Sequence, residues 1–222
     1  MSRVEQPAGS RGSLKWIQRA VNLHPRVLDE PLLTQIPGAR EVEWLSPLAS
    51  DSYAEYRDGA FLDRIGASEL RPQLAQFWPQ RGPQWDALAR TNCGDILLVE
   101  AKAHVAEMLS PATQARSQSL ASIEASLGQV ASALGAKAKS PWTESFYQLA
   151  NRLAHLWFLR QAGKPAWLVL VNFVGDSDMN GPTSPREWEA AYLVAGHVMG
   201  LGKQHALARW ILHLYPLVSD LD

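Results

Sequence analysis

Three residues, Asp86, Glu100 and Lys102, have types and a spacing that could support chemistry. The segment ILLVEAKAH (96–104) begins with four consecutive apolar residues, which is typical of a strand buried on both faces. Glu100 and Lys102 follow two positions apart, so their side chains lie on the same face of that strand. Burying unpaired charge is costly, so these side chains need charged partners or a bound ion.

A β-hairpin supplies the upstream partner. The segments QWDALART (84–91) and DILLVEAKAH (95–104) flank Asn-Cys-Gly at 92–94, and asparagine and glycine are the usual turn residues between paired strands. A turn centred on the cysteine pairs Arg90 with Ile96. The sequence therefore predicts an antiparallel pair with a defined register.

That register brings charged side chains together. It sets Asp86 opposite Glu100, and directly opposed residues have Cβ atoms about 4.5–5.5 Å apart. Since side chains alternate between faces, Asp86, Glu100, Lys102 and His104 would share one face. A shift of one residue would set Asp86 opposite Ala101 instead and separate the carboxylates.

Two adjacent carboxylates indicate a cation. Each opposes the ionisation of the other unless positive charge lies between them. A divalent ion satisfies this requirement, and ligation by oxygen alone favours Mg²⁺ or Mn²⁺.

The spacing of these residues resembles that of the PD-(D/E)XK, or restriction-endonuclease-like, nuclease superfamily. The matching pattern is Asp86, thirteen residues, and then Glu100-Ala101-Lys102 at the end of an apolar strand. The resemblance implies that Asp86, Glu100 and the Ala101 backbone carbonyl hold magnesium. It implies that Lys102 orients or activates the attacking water and offsets charge on the phosphate. The implied reaction is metal-assisted phosphodiester hydrolysis.

Other features follow from the same resemblance. The substrate would be DNA, with RNA left open, and a homodimer is possible because restriction-like enzymes often cut two strands as dimers. Many members carry a further acidic residue on the first helix; Glu55 is the candidate here, with Asp58 and Glu69 as alternatives. Gln148 lies four positions before Arg152, where RecB-like exonucleases have Gln-x-x-x-Tyr. Gln148 is therefore a possible supporting residue. His104, which would share the face of Glu100, is another.

Two alternatives remain open. The first is a catalytically inactive module that keeps the nuclease fold for binding nucleic acid or protein. The second is structural: Glu100 and Lys102 would form a solvated ion pair at a strand end, and Asp86 would cap a turn.

Strand and helix patterns alternate along the chain, which predicts an α/β fold with a mixed central β-sheet flanked by helices. Residues 1–13 are predicted to be a disordered leader, and 14–222 a single α/β domain with a nuclease-like core at about 50–175. The predicted elements are a weak edge strand at 40–45, helices at 50–66, 120–134, 140–163 and 184–200, and strands at 166–175 and 208–218.

A second candidate cation site lies in the loop DSDMNGPTSPRE, residues 176–187. Asp176, Asp178, Asn180 and Glu187 fall at ligand positions of the EF-hand calcium template. The same residues also suit a turn followed by a helix cap, with Glu187 as part of a capping box.

Composition limits the classes of function. With 21 basic and 22 acidic residues, nucleic acid would have to be bound by a local patch, such as a polar stripe with Arg152 and His155 on the helix at 144–162. The single cysteine, Cys93, excludes an intrachain disulfide, and no apolar run is long enough to span a membrane. We therefore expect a cytoplasmic protein without membrane contact.

Overall fold

A mixed five-stranded sheet runs through the protein and carries helices on both faces. The computed structural model describes residues 3–222. Within these residues, no helix combines the length and apolar character needed to cross a bilayer. The strands are β1 (Arg3–Val4), β2 (Val42–Ser46), β3 (Glu55–Tyr56), β4 (Ala87–Thr91), β5 (Ile96–Lys102), β6 (Ala166–Asn172) and β7 (Ile211–Leu214). The helices are α1 (Gly12–Asn22), α2 (Arg26–Gln35), α3 (Asp58–Arg64), α4 (Arg71–Phe77), α5 (Ser117–Ala133), α6 (Tyr147–Gln161) and α7 (Pro185–Met199).

The central sheet has the strand order β2-β4-β5-β6-β7. β4 runs antiparallel to both of its neighbours, β2 and β5. β6 and β7 run parallel to β5. In the predicted hairpin Arg90 pairs with Ile96, so the register expected from the turn is confirmed. The predicted mixed α/β class is also confirmed.

Both faces of the sheet are buried, which explains the continuous apolar run in β5. Leu97, Val99 and Ala101 point into the core formed with α1 and α2. Ile96 and Leu98 point into the other core, which contains residues of α3 to α7. Glu100 and Lys102 lie on the same face of β5 as Ile96 and Leu98, so their side chains face the core that contains residues of α3 to α7.

Residues 3–13 do not form the predicted disordered leader, and residues 1 and 2 lie outside the described part. β1 pairs with β3, with Arg3 opposite Tyr56. The backbone N–H of Gly9 donates to the Gln18 side chain at 2.8 Å. Pairing with β3 is a long-range contact, which local composition does not reveal.

The predicted helix at 50–66 is interrupted. Ser52 and Tyr53 have left-handed backbone angles, with φ of 52° and 49°, and a helix cannot continue through them. The chain then forms β3, and α3 starts only at Asp58. Glu55 is consequently held on a short strand before the helix.

Helix α6 packs His155 into an aromatic cluster. The imidazole is 1% exposed and lies between the rings of Trp78 and Trp85, with centroids 5.0 Å and 6.2 Å away. Its Nδ1 lies 2.8 Å from the carbonyl oxygen of Asn151, and burial lowers the pKa of His155 to about 3. His155 therefore belongs to the core, and the expected exposed stripe with Arg152 is wrong.

We predict that His155 makes the protein sensitive to acid. Its pKa is about 6.5 when unfolded and about 3 when folded, so its neutral form favours folding above pH 6.5. This stability is lost as pH falls toward 3, by about 5 kcal/mol at about 1.4 kcal/mol per pKa unit. Urea unfolding at pH 7 to about pH 4 should show a shallower pH slope for His155→Gln than for wild type. Exposed His197→Gln is the control, and equal slopes for all three proteins would contradict the prediction.

Candidate active site at the end of strand β5

A cleft of about 580 Å³ opens where β5 ends. The structure brings most of the predicted site residues into it. Its walls include Glu55, Asp86, Glu100, Ala101, Lys102 and Gln148.

The hairpin positions Asp86 beside β5. β4 begins at Ala87, so Asp86 lies just before the paired residues. Its Oδ2 accepts a hydrogen bond from the backbone N–H of Ala101 at 2.7 Å. Because the N–H and C=O of a strand residue point to the same side, the Ala101 carbonyl also points toward Asp86.

Glu100 is held between two cations. Lys102 Nζ lies 2.8 Å from its Oε1, and Arg152 Nε lies 2.5 Å from its Oε2. All three side chains are buried, with Glu100 5% exposed. Burial opposes ionisation of Glu100, but Arg152 and Lys102 outweigh it and lower the pKa of this carboxyl below its usual value. Glu100 is therefore ionised inside the protein.

Arg152 makes further hydrogen bonds to α6 and to the segment before β4. Its Nη2 donates to the Gln84 carbonyl at 2.7 Å, and its Nη1 donates to Asn151 Oδ1 at 3.0 Å. The guanidinium also lies 4.8 Å from the ring centre of Trp85. The sequence indicated Arg152 only as part of a surface stripe, so its role as the partner of Glu100 was missed.

Gln148 and Glu55 also line the cleft. Lys102 Nζ donates to Gln148 Oε1 at 3.2 Å. Glu55 is 5% exposed and accepts hydrogen bonds from the Gln6 side chain, at 3.0 Å, and from that of Gln84. Burial raises the pKa of Glu55 above its usual value, although both amides oppose the shift.

Asp86 has the most strongly raised pKa of the three carboxyls. Burial raises its pKa well above the usual value, and the charges of Glu100 and Glu55 raise it further. Arg152 and Lys102 oppose this shift but do not cancel it. The site thus holds more negative than positive charge when all three carboxyls are ionised.

His104 does not share the face of Glu100, and that prediction is wrong. β5 ends at Lys102, so the alternation of side chains stops there. The His104 backbone N–H lies 3.4 Å from Glu107 Oε2 at the start of a short 3₁₀ helix, and its Nε2 lies 3.7 Å from Glu107 Oε1. Glu107 lines the cleft and was missed by sequence reasoning; it also accepts a hydrogen bond from Ser13 Oγ at 2.9 Å.

The loop 176–187 does not form the calcium site considered from its spacing. Asp176 is 2% exposed and accepts a hydrogen bond from the indole N–H of Trp16 at 2.7 Å. Glu187 accepts from Thr183 Oγ1 at 2.7 Å and from Ser184 Oγ at 2.9 Å, at the start of α7. Because these carboxylates are used in separate places, Asp176, Asp178, Asn180 and Glu187 do not converge as ligands.

Across residues 3–222, no three side chains of histidine, cysteine, aspartate or glutamate are arranged to hold a metal ion. The set at β5 is of another kind, with two carboxylates, Asp86 and Glu100, and the backbone carbonyl of Ala101. These are hard oxygen donors, the type that Mg²⁺ and Mn²⁺ bind.

Comparisons with known proteins give no match: no protein-family model, curated protein or solved structure is similar to this chain.

We predict that Arg152→Gln lowers the free energy of unfolding by about 3 kcal/mol, because it leaves the buried Glu100 carboxylate short of one cation. Arg152→Lys keeps the charge but loses the three-way hydrogen bonding, so its loss should be smaller. Exposed Arg186→Gln is the matched control, with a change within about 0.5 kcal/mol. Urea unfolding measures all three, and an Arg152→Gln protein as stable as the control would contradict this account.

We predict that Asp86→Asn stabilises the metal-free protein at neutral pH. The pKa of Asp86 is higher in the folded state than in the unfolded state, so ionisation of Asp86 disfavours folding. This cost is absent below the unfolded pKa and is full once pH has risen past the folded pKa. Thermal melts in chelator should therefore show a variant advantage that grows from pH 4 to about pH 8. A constant difference, or the same gain for exposed Asp178→Asn, would refute this prediction.

Proposed function

We propose that the protein is a metal-dependent phosphodiesterase of the PD-(D/E)XK type that acts on DNA. The observation that carries the proposal is the convergence of Asp86, Glu100, Lys102 and the Ala101 carbonyl in one cleft. These are the four groups that the resemblance assigns to the reaction.

The order of elements supports the same proposal. The superfamily core consists of a helix, a β-meander, a helix and a further strand. Here β2, β4 and β5 pair in the antiparallel order of a meander, with β3, α3 and α4 inserted between β2 and β4; α5 and α6 follow, and β6 returns parallel to β5. The carboxylates lie at the end of the third meander strand, next to the helix that carries Gln148 and Arg152.

The donor set fits a hard divalent cation. Asp86 holds the Ala101 N–H with Oδ2, so its Oδ1 can face the cleft. Burial first, and then the charges of Glu100 and Glu55, raise the pKa of Asp86, and a cation bound beside it would favour its ionised form. Asp86, Glu100 and the Ala101 carbonyl would hold the ion, which supplies Lewis-acid activation of the phosphate and of water when bound.

The chain's own groups then have distinct tasks. Lys102, fixed by Glu100 and Gln148, orients the attacking water and offsets negative charge on the phosphate. As the water oxygen bonds to phosphorus, the bond to the leaving oxygen breaks and that oxygen takes up a proton. Arg152 holds the Glu100 carboxylate in place through its Nε, while its Nη1 and Nη2 donate to Asn151 and to the Gln84 carbonyl.

One observation favours a second candidate, a non-catalytic binding module with this fold. Both carboxylate oxygens of Glu100 already contact cationic side chains, Lys102 and Arg152. A Glu100 that is neutralised in this way does not need a metal ion. The two candidates therefore differ in whether a cation binds at Asp86.

The decisive test combines metal binding with cleavage. Calorimetric titration of Mn²⁺ should show saturable binding to wild type and none to Asp86→Asn. Labelled single- and double-stranded DNA, with RNA of the same sequence, should be cut in Mg²⁺ or Mn²⁺ and not in chelator. Asp86→Asn should cut at least about 100-fold more slowly, and exposed Asp178→Asn should cut normally.

Because Asp86→Asn is expected to be the more stable protein, its loss of activity would not come from unfolding. Metal binding that is equal in wild type and Asp86→Asn would refute the assignment of the ligands. Nucleic-acid binding without metal binding or cleavage would favour the non-catalytic module.

A further inference from the structure

A second polar pocket, which we call the arginine pocket, lies on the α3–α4 side of the sheet. It has a volume of about 430 Å³, and its walls include Arg57, Arg71 and Arg81, the acidic residue Asp58, and His155. Three guanidinium groups against one carboxylate make it the opposite of the catalytic cleft in charge. His155 is neutral there, since burial lowers its pKa to about 3.

Arg57 carries an unmet hydrogen-bonding requirement in this pocket. Its Nε is shielded from solvent and has no hydrogen-bond partner in residues 3–222. The nearest acidic atom, Asp58 Oδ2, is 3.9 Å away, which is too far for a hydrogen bond. A buried donor on a charged group is costly to leave unpaired, and a small shift of the Arg57 side chain toward the pocket would let this nitrogen meet an acceptor there.

Asp58 does not compete strongly for that role. Its carboxylate accepts the backbone N–H groups of Arg81, at 3.2 Å, and Gly82, at 2.8 Å. These bonds hold Arg81 at a φ of 66° and place its side chain on the pocket wall. Left-handed backbone at a non-glycine residue is unfavourable and tends to persist where a site requires it.

The arginine pocket adjoins the catalytic cleft. Arg81 lines the pocket and Gln84, three residues later, lines the cleft. Their Cα atoms can be at most about 11 Å apart, since consecutive Cα atoms are 3.8 Å apart. Residues 81–84 therefore connect the walls of the two cavities.

We infer that the arginine pocket binds a phosphate group of the strand whose scissile phosphate lies in the cleft. Arg57 and Arg81 are its ligands, and Arg71, which pairs with Asp63, closes the rim. The inference rests on the proposed nuclease function for the identity of the strand, whereas the affinity of the pocket for phosphate stands on its own. Guanidinium groups suit this task because their donors match phosphate oxygens.

The test has one arm that does not depend on nuclease activity. Inorganic phosphate, titrated against wild type in chelator, should shift the Arg57 Nε–H resonance in proton–nitrogen NMR spectra, and sodium chloride at equal ionic strength should not. The resonance is assigned by its loss in Arg57→Gln.

The second arm measures anisotropy of labelled single-stranded DNA in Ca²⁺ over a salt series. Arg57→Gln and Arg81→Gln together should weaken binding about tenfold and lower the slope of log affinity against log salt by about 0.7. Exposed Arg40→Gln is the control. Arg81→Gln alone, at an exposed position, should show part of the loss without any change in folding.

The arms separate the possible failures. In one outcome, phosphate shifts the Arg57 Nε–H resonance but wild type does not bind DNA. This result would refute both a nucleic-acid strand as the ligand and the nuclease proposal, and would leave a site for a small phosphorylated molecule. In another outcome, phosphate does not shift the Arg57 Nε–H resonance and the double variant binds DNA as well as wild type does. This result would overturn the arginine pocket as a phosphate site, while the nuclease proposal stands.

Discussion

The buried carboxylate of Glu100 is the interaction on which the rest of this site depends. An ionised glutamate inside a protein is stable only when cations and hydrogen bonds replace its lost hydration. Lys102 comes from the same strand and Arg152 from helix α6, so the charge balance links the central sheet to the helix layer. The register of the hairpin and the rotation of α6 about its axis must both be right for this contact to form.

Among the residues that the structure describes, Asp86 has no cationic partner of its own, because both cations of the cleft contact Glu100. Lys102 and Arg152 are committed to Glu100, so Asp86 and Glu55 share the remaining negative charge of the cleft. Such an arrangement costs stability in the absence of a cation, and functional sites commonly carry costs of this kind. The neighbouring arginine pocket has the opposite charge, so the two cavities together suit a cation and a polyanionic chain.

Local sequence rules were sufficient for the hairpin. An Asn-Cys-Gly turn between two apolar strands determines its register, and that register carries Asp86, Glu100 and Lys102 to the same cleft. Gln148, a possible supporting residue on its spacing to Arg152, lines the same cleft.

The errors arise where tertiary contacts override local patterns. Pairing of residues 3–4 with β3 orders a segment whose composition suggests disorder. Left-handed residues at 52 and 53 end a helical pattern before α3. Arg152 and His155 look like a polar face, but a buried carboxylate and an aromatic cluster receive them. No spacing rule identifies such partners, because they lie far apart in the chain.

The central claim is that the groups around Glu100 hold a divalent cation, and anomalous diffraction from crystals grown with Mn²⁺ tests it most directly. The account predicts a peak about 2.1 Å from oxygens of Asp86, Glu100 and the Ala101 carbonyl. A saturated crystal with no peak there, and with Glu100 still bound only by Lys102 and Arg152, would contradict it.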